Sequence, residues 1–141
     1  LDWYMLQNPL NRGKAAFVGE LLKTYRKYPC LYEIDNDWLG FEWMNADDKD
    51  RSIYSFVRRT RDGRQHMLFV LNMTPVEYPN YKVGVPMNTK YKLLINSDEE
   101  RYGGAGHRVP KEIKARKGKC DNRNQYVVIP LPPLTGVVYL F

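Results

Sequence analysis

The sequence predicts an all-β fold: an antiparallel β-sandwich of about eight strands, preceded by one amphipathic helix. Three observations predict it. Short apolar runs at residues 53–57, 67–73, 81–85 and 91–95 are separated by turn chemistry at Asp62-Gly63, Pro79-Asn80 and Pro86 to Asn88. Residues 67–71 are apolar on both faces, as a strand covered from both sides must be, and make the candidate central strand. Nothing between these runs carries a helical period, so the pattern reads as a meander.

Taken in order, residues 1–8 (LDWYMLQN) read as the last turns of a helix that Pro9 ends. Asn11 then offers an N-cap, and residues 12–28 form the amphipathic helix. A 100° step puts Phe17, Val18, Leu21, Leu22, Tyr25 and Tyr28 on one side and Gly19, Glu20, Lys23, Arg26 and Lys27 on the other. Pro29 stops it. Burying each of those six side chains is worth roughly 1.5–3 kcal/mol, so the helix must dock on something large. That partner is either outside these residues or the end of the sandwich itself.

An acid-rich linker comes next, and the domain boundary is expected between Tyr32 and Asp37. Residues 1–35 then form a helical unit and 36–141 the all-β domain. A short strand at 41–44 places Phe41 and Trp43 on one face and Glu42 on the other. The loop at 96–110 holds Gly103, Gly104 and Gly106, which suits positive φ or close approach of backbone to another surface. It lacks the spacing of a phosphate loop. A weak strand at 111–116 leads to a turn at Lys117-Gly118. Two prolines, Pro132-Pro133, between strands at 125–131 and 135–140 fit a chain that leaves one sheet and re-enters the structure elsewhere.

Composition narrows the function classes. With 43% hydrophobic and 27% charged residues the chain is globular in type. No apolar run approaches the roughly 20 residues of a bilayer span, so no membrane partner is expected. The net charge of +6 concentrates in residues 108–123, but no aromatic ring interleaves those bases, so a solvated face is expected and not a nucleic-acid grip. Cys30 and Cys120 are neither a disulfide framework nor a metal motif, which fits a reducing cytoplasm, with a long-range bridge between them as the other reading. The chain opens on Leu1 with no leader pattern, and is read as a piece of a longer protein.

No catalytic constellation, metal set or cofactor motif is found. His66 and His107 have no second ligand at metal spacing. The carboxylates at Asp47, Asp48 and Asp50, and at Asp98, Glu99 and Glu100, read as solvated turns. Aromatic residues are the remaining functional hint. Three tryptophans and eleven tyrosines exceed what one small core needs, and exposed rings stack on sugar faces. Trp38, Trp43 and Tyr102 are the candidate sugar contacts.

Several phrases together resemble the glycogen (1,4-α-glucan) branching enzymes. Asn11-Arg12-Gly13, Leu21-Leu22, Tyr25-Arg26, Tyr28-Pro29-Cys30-Leu31 and Asp35 resemble the last barrel helix of that family. Gly40-Phe41-Glu42-Trp43 looks like the start of its C-terminal domain. Asn72-Met73-Thr74-Pro75-Val76, Tyr81-Lys82-Val83-Gly84-Val85-Pro86, Asn96-Ser97-Asp98, Tyr102-Gly103-Gly104-Ala105-Gly106 and Leu131-Pro132-Pro133-Leu134 come after it in the family's order. Asn11 stands where the family has His, and Ala105 where Ser is usual.

The resemblance implies a non-catalytic all-β domain that follows a (β/α)₈ barrel of the α-amylase superfamily and braces it. The helix would be the barrel's last. The parent enzyme would cut an α-1,4 glucan through a covalent intermediate and rejoin it as an α-1,6 branch, with its catalytic carboxylates upstream of Leu1. These residues alone are expected to be inactive. They are also expected to self-associate through Phe17, Leu21 and Tyr25. The alternative is a free-standing carbohydrate-binding β-sandwich module whose helix is its own.

Overall fold

The computed structural model describes residues 2–141. A 3₁₀ turn, Trp3–Gln7, leads into the one long helix, α1 (Pro9–Lys27). Two further turns, Pro29–Leu31 and Trp38–Gly40, precede β1 (Phe41–Asp48), β2 (Ile53–Arg59), β3 (His66–Asn72), β4 (Tyr78–Gly84) and β5 (Lys90–Asn96). After a turn at Glu100–Tyr102 come β6 (Glu112–Lys114), β7 (Arg116–Cys120), β8 (Arg123–Leu131) and β9 (Gly136–Leu140).

The helix begins earlier than expected. Asn8 is the N-cap, its side-chain oxygen accepting from the Leu10 N–H at 2.9 Å. Pro9 sits just inside, where its missing N–H costs nothing because the first turn has no acceptor for it. Pro9 therefore starts the helix it was expected to exclude. Asn11 instead donates to the Met5 carbonyl at 3.1 Å.

The strands form a six-stranded sheet, ordered β1-β2-β3-β9-β5-β6, and a three-stranded sheet, ordered β4-β8-β7. Every pair is antiparallel. The expected meander runs only from β1 to β3. After Asn72 the chain crosses to the second sheet, makes β4, and returns for β5. It crosses again between β6 and β7, and its last crossing, between β8 and β9, passes through Pro132-Pro133 as expected.

Three local expectations are corrected. Pro79-Asn80 lies inside β4, where a register shift between Tyr78 and Tyr81 absorbs it. This is tolerable because β4 is an edge strand and a missing donor there leaves no partner unsatisfied. The weak strand at 111–116 is two strands, β6 and β7, which brings the count to nine. Lys117-Gly118 lies within β7, and the turn is Asp121-Asn122, both at positive φ (48° and 59°), closing a two-residue hairpin.

Strand β3 is third of six and is buried on both faces, as a central strand should be. Leu68 and Val70 point into the main core between the sheets, with Ile53, Val57, Val127 and Tyr139. Met67 points the other way, into a second cluster with Cys30, Ile95 and Val138, covered by Phe17 and Leu31. The segment around the expected domain boundary lies flat on β2. Arg58 donates to the carbonyl of Leu31 at 3.1 Å and pairs with Asp35 at 3.0 Å. Ile34 is buried beneath Gly40, where a Cβ would come within 2.2 Å of the Ile34 carbonyl oxygen.

Candidate docking face and aromatic surface

Helix α1 carries two faces, and they are not divided as the 100° projection suggests. The inward side is narrow: Gly13 and Thr24 are buried and Phe17 is half-buried. The outward side holds Leu10, Val18, Leu21, Leu22 and Tyr25, between 39% and 66% exposed. Of the six apolar residues expected to share one buried face, only Phe17 and Tyr28 turn inward. Close approach to the sandwich selects small side chains, so the stripe around Gly13 wins the inward position and the bulky stripe is left facing out. Phe17 is accordingly withdrawn from any surface through which a second copy could associate.

The seat under α1 is the glycine loop. A Cβ on Gly13 would lie 2.7 Å from the Tyr102 carbonyl carbon, and the Phe17 ring meets the Tyr102 ring edge-on with centroids 5.1 Å apart. Asp98 holds the loop's shape. It accepts from the backbone N–H groups of Ala105 at 2.9 Å and His107 at 2.8 Å, and its second oxygen lies 2.8 Å from His107 Nδ1. Gly103 and Gly106 take positive φ, at 90° and 76°. The loop that looked suited to close backbone approach is a platform for the helix.

Burial alone would raise the Asp98 pKa, but the donors from Ala105 and His107 outweigh it and hold the carboxyl below its ordinary value. A depressed folded-state value contributes stability above the unfolded pKa of about 3.9 and loses it as pH falls through the folded value. Denaturant midpoints measured from pH 7 down to 2 should therefore decline below about pH 4. Asp98→Asn should cost about 2 kcal/mol at pH 7 and flatten that decline. An unchanged acid limb in the variant would show that the carboxylate does not hold the loop.

The three candidate glucan contacts are not brought together. Trp38 stands on its 3₁₀ turn at 79% exposed, with Asp37 Oδ1 accepting from Leu39 N–H to cap the turn. Trp43 lies in β1 at 47% exposed, its ring edge-on to Phe41 at 5.0 Å. Tyr102 is buried beneath α1, with Phe17 on its ring and the Arg101 guanidinium 4.5 Å from its centroid. Burial pushes its phenol pKa up, and its hydroxyl has no hydrogen-bond partner. Neither ring face of Tyr102 is open to a sugar. It also comes after β5, four strand spacings or roughly 19 Å across the sheet from β1.

Around Trp43 the structure gathers, beside the Phe41 ring expected to share its face, rings that were not among the candidate contacts. Phe41, Tyr54, Phe56 and Phe69 form a ladder with it across β1, β2 and β3. The signal was available: Tyr54 and Phe56 alternate with the core residues Ile53, Ser55 and Val57, so β2 is apolar on both faces.

Two carboxylates expected in solvated turns, Asp48 and Asp98, are instead buried, because each has hydrogen-bond donors around it. Asp48 accepts from Tyr81 Oη at 2.7 Å and from Arg51 at 2.8 Å. Glu42 pairs with Arg59 and Arg123, and Glu99 with Arg101. Among the described residues no group of three or more His, Cys, Asp or Glu is placed to hold a metal ion. Cys30 and Cys120 are both free, and burial pushes each thiol up to about 11. The bases on β6 and β7, among them Lys114, Arg116 and Lys117, are exposed. Among the described residues no helix is long and apolar enough to cross a membrane.

Comparison with known proteins decides the family. The model of the alpha amylase C-terminal all-beta domain matches residues 43–141. The chain belongs to that family. The match begins at Trp43, in β1, and takes in every later strand of this alpha amylase C-terminal domain. Similarity to individual proteins extends further, through the helix. The chain is 55% identical over 141 residues to a 1,4-alpha-glucan branching enzyme of Butyrivibrio fibrisolvens, covering all of this chain and 22% of that protein. It is 41% identical over 138 residues to the branching enzyme of Methylococcus capsulatus, and 38% over 133 residues to that of Geobacillus stearothermophilus. These cover 98% and 94% of this chain and 18% and 21% of those proteins. The chain thus spans about a fifth of the length of the curated relatives it matches.

Proposed function

We propose that this chain is the C-terminal domain of a 1,4-α-glucan branching enzyme, and that it braces the enzyme's catalytic barrel through the outward face of α1. The observation that carries this reading is the 55% identity running through all 141 residues, helix included, to a branching enzyme several times longer. The helix supports it physically. Its inward side is spent on the sandwich, while Leu10, Val18, Leu22 and Tyr25 remain open to a second partner. Exposed apolar stripes of this kind mark interaction surfaces. On this reading α1 is shared between two bodies, residues 1–35 closing the barrel and 36–141 standing against it. The two free thiols suit a cytoplasmic enzyme.

Asp48, Glu42 and Asp98 are held by Tyr81, Arg51, Arg59, Arg123 and His107, which suits a domain that contributes support and leaves bond cleavage to the barrel. The test is enzymatic. The longer chain should convert amylose to a product with new α-1,6 linkages, read by loss of the iodine complex and by debranching analysis. Residues 1–141 alone should give none. Branch formation by the 141 residues, or a longer chain that only hydrolyses amylose, would overturn the assignment.

A further inference from the structure

The outer face of the six-stranded sheet is only half covered. On β2, Ile53, Ser55 and Val57 point into the main core, so Tyr54 and Phe56 point away from it. On β3, Phe69 shares that outward side with Met67. Where α1 and the Pro29–Leu31 turn lie over the sheet, they bury Met67, Ile95 and Val138. Residues 31–40 continue over β2 as far as Arg58, and past them Trp43 and Tyr54 stand 47% and 42% exposed at the β1–β2 edge.

The covered and uncovered parts are one seam. Phe69 packs against the cluster beneath α1 and also stacks on Phe56, with ring centroids 4.7 Å apart and planes within 8°. Phe56 in turn stacks on Phe41 at 5.1 Å and meets Trp43 edge-on at 5.7 Å. The apolar surface that seats the helix therefore continues without a polar break to the sheet edge.

We infer that this aromatic ladder is a second docking wall for the chain that precedes Leu1 in the longer enzyme. The inference rests on the assignment above and adds a surface to it. Two features favour that occupant. About four-fifths of the relatives' length lies outside these residues, and an all-β domain that is C-terminal by family places that length ahead of Leu1. The ladder is also continuous with the seam on which α1, the last element before the sandwich, is already seated.

A glucan fits the face less well. Sugar sites set free hydrogen-bonding side chains beside their rings. Here Arg58, which shares the outward side of β2 with Tyr54 and Phe56, is occupied by Leu31, Ile34 and Asp35. Trp43 meets Phe41 and Phe56 at 86° and 80°, an edge-to-face arrangement of the kind found in protein cores.

Hydroxyl-radical labelling of the intact longer enzyme, read residue by residue against its unfolded state, tests this. Packing at an interface core matches that of an interior, so Trp43 and Tyr54 should be protected as strongly as the core residue Tyr139, about tenfold more than exposed Met87. Tyr25 reports the outward face of α1 in the same sample. Protection of Tyr25, Trp43 and Tyr54 in the absence of sugar supports the second wall. Protection of Tyr25 with free labelling of Trp43 and Tyr54 overturns the wall and leaves the bracing helix standing. If added maltoheptaose then protects those two rings, the face belongs to glucan and the wall is again overturned. Free labelling at all three positions overturns both the wall and the docking role of α1.

Discussion

Gly13→Ala should destabilise the protein by about 2–3 kcal/mol, although alanine is the better helix former by about 1 kcal/mol. The added methyl would stand 2.7 Å from the Tyr102 carbonyl carbon and 2.8 Å from its oxygen. Those are backbone atoms of a turn that Asp98 holds from behind, so they cannot swing aside as a side-chain tip could. The helix must lift, and lifting it separates Phe17 from Tyr102 and opens the cluster around Met67 and Cys30. Gly19→Ala is the internal control. Nothing lies within 4 Å of a Cβ there, so the same change six residues along should stabilise by up to about 1 kcal/mol. Denaturant unfolding of the two variants gives the comparison, with amide exchange across residues 9–27 showing whether the helix is what comes loose. Equal stabilisation by both alanines would mean the helix is not seated as described.

Asn72→Leu should cost more, about 3–5 kcal/mol, because one fully buried side chain serves four polar groups. Its Nδ2 donates to the carbonyls of Val76 and Pro132, both at 2.8 Å. Its Oδ1 accepts from the Thr74 N–H at 3.0 Å and the Thr74 hydroxyl at 2.8 Å. Residues 73–77 and 132–135 are two of the four places where the chain changes sheet, and Asn72 ties them to each other. Leucine fits the volume and satisfies none of these groups, each worth about 1–3 kcal/mol when left buried and unpaired. Asn72→Asp retains the acceptor but sets a carboxylate against two carbonyls, and should be as damaging at neutral pH. A fall in midpoint under about 1 kcal/mol in both variants would show that water enters the crossings and replaces the amide.

The strand pattern is legible because period and turn chemistry are local properties. Met67 to Leu71 can be recognised as central from its own residues, and the chain's exit from one sheet can be read from Pro132-Pro133. The crossing after Asn72 cannot, since it is decided by pairing between Tyr78–Gly84 and a strand some fifty residues later. The start of α1 is ambiguous in sequence because Asn8-Pro9 supports two readings, a stop for residues 1–8 or a cap and first turn for residues 9–27. The helix faces mislead for a related reason. Amphipathicity shows that a bulky apolar stripe exists, but not that a different surface, presented by Tyr102 and its glycines, needs Gly13 against it. Trp38 and Trp43 can be expected near the surface from their turn and edge settings. Tyr102 cannot be placed that way, because its exposure is decided entirely by a helix some eighty residues earlier.

The position of β9 has a consequence for biosynthesis. It comes after every other strand in the chain, yet it fills the gap between β3 and β5. Until Gly136–Leu140 has left the ribosome, the larger sheet is two separate pieces, each presenting a bare edge with unpaired amides and carbonyls. The sandwich therefore cannot close before β9 has emerged, and a nascent chain held short of it offers two open templates to any neighbouring strand.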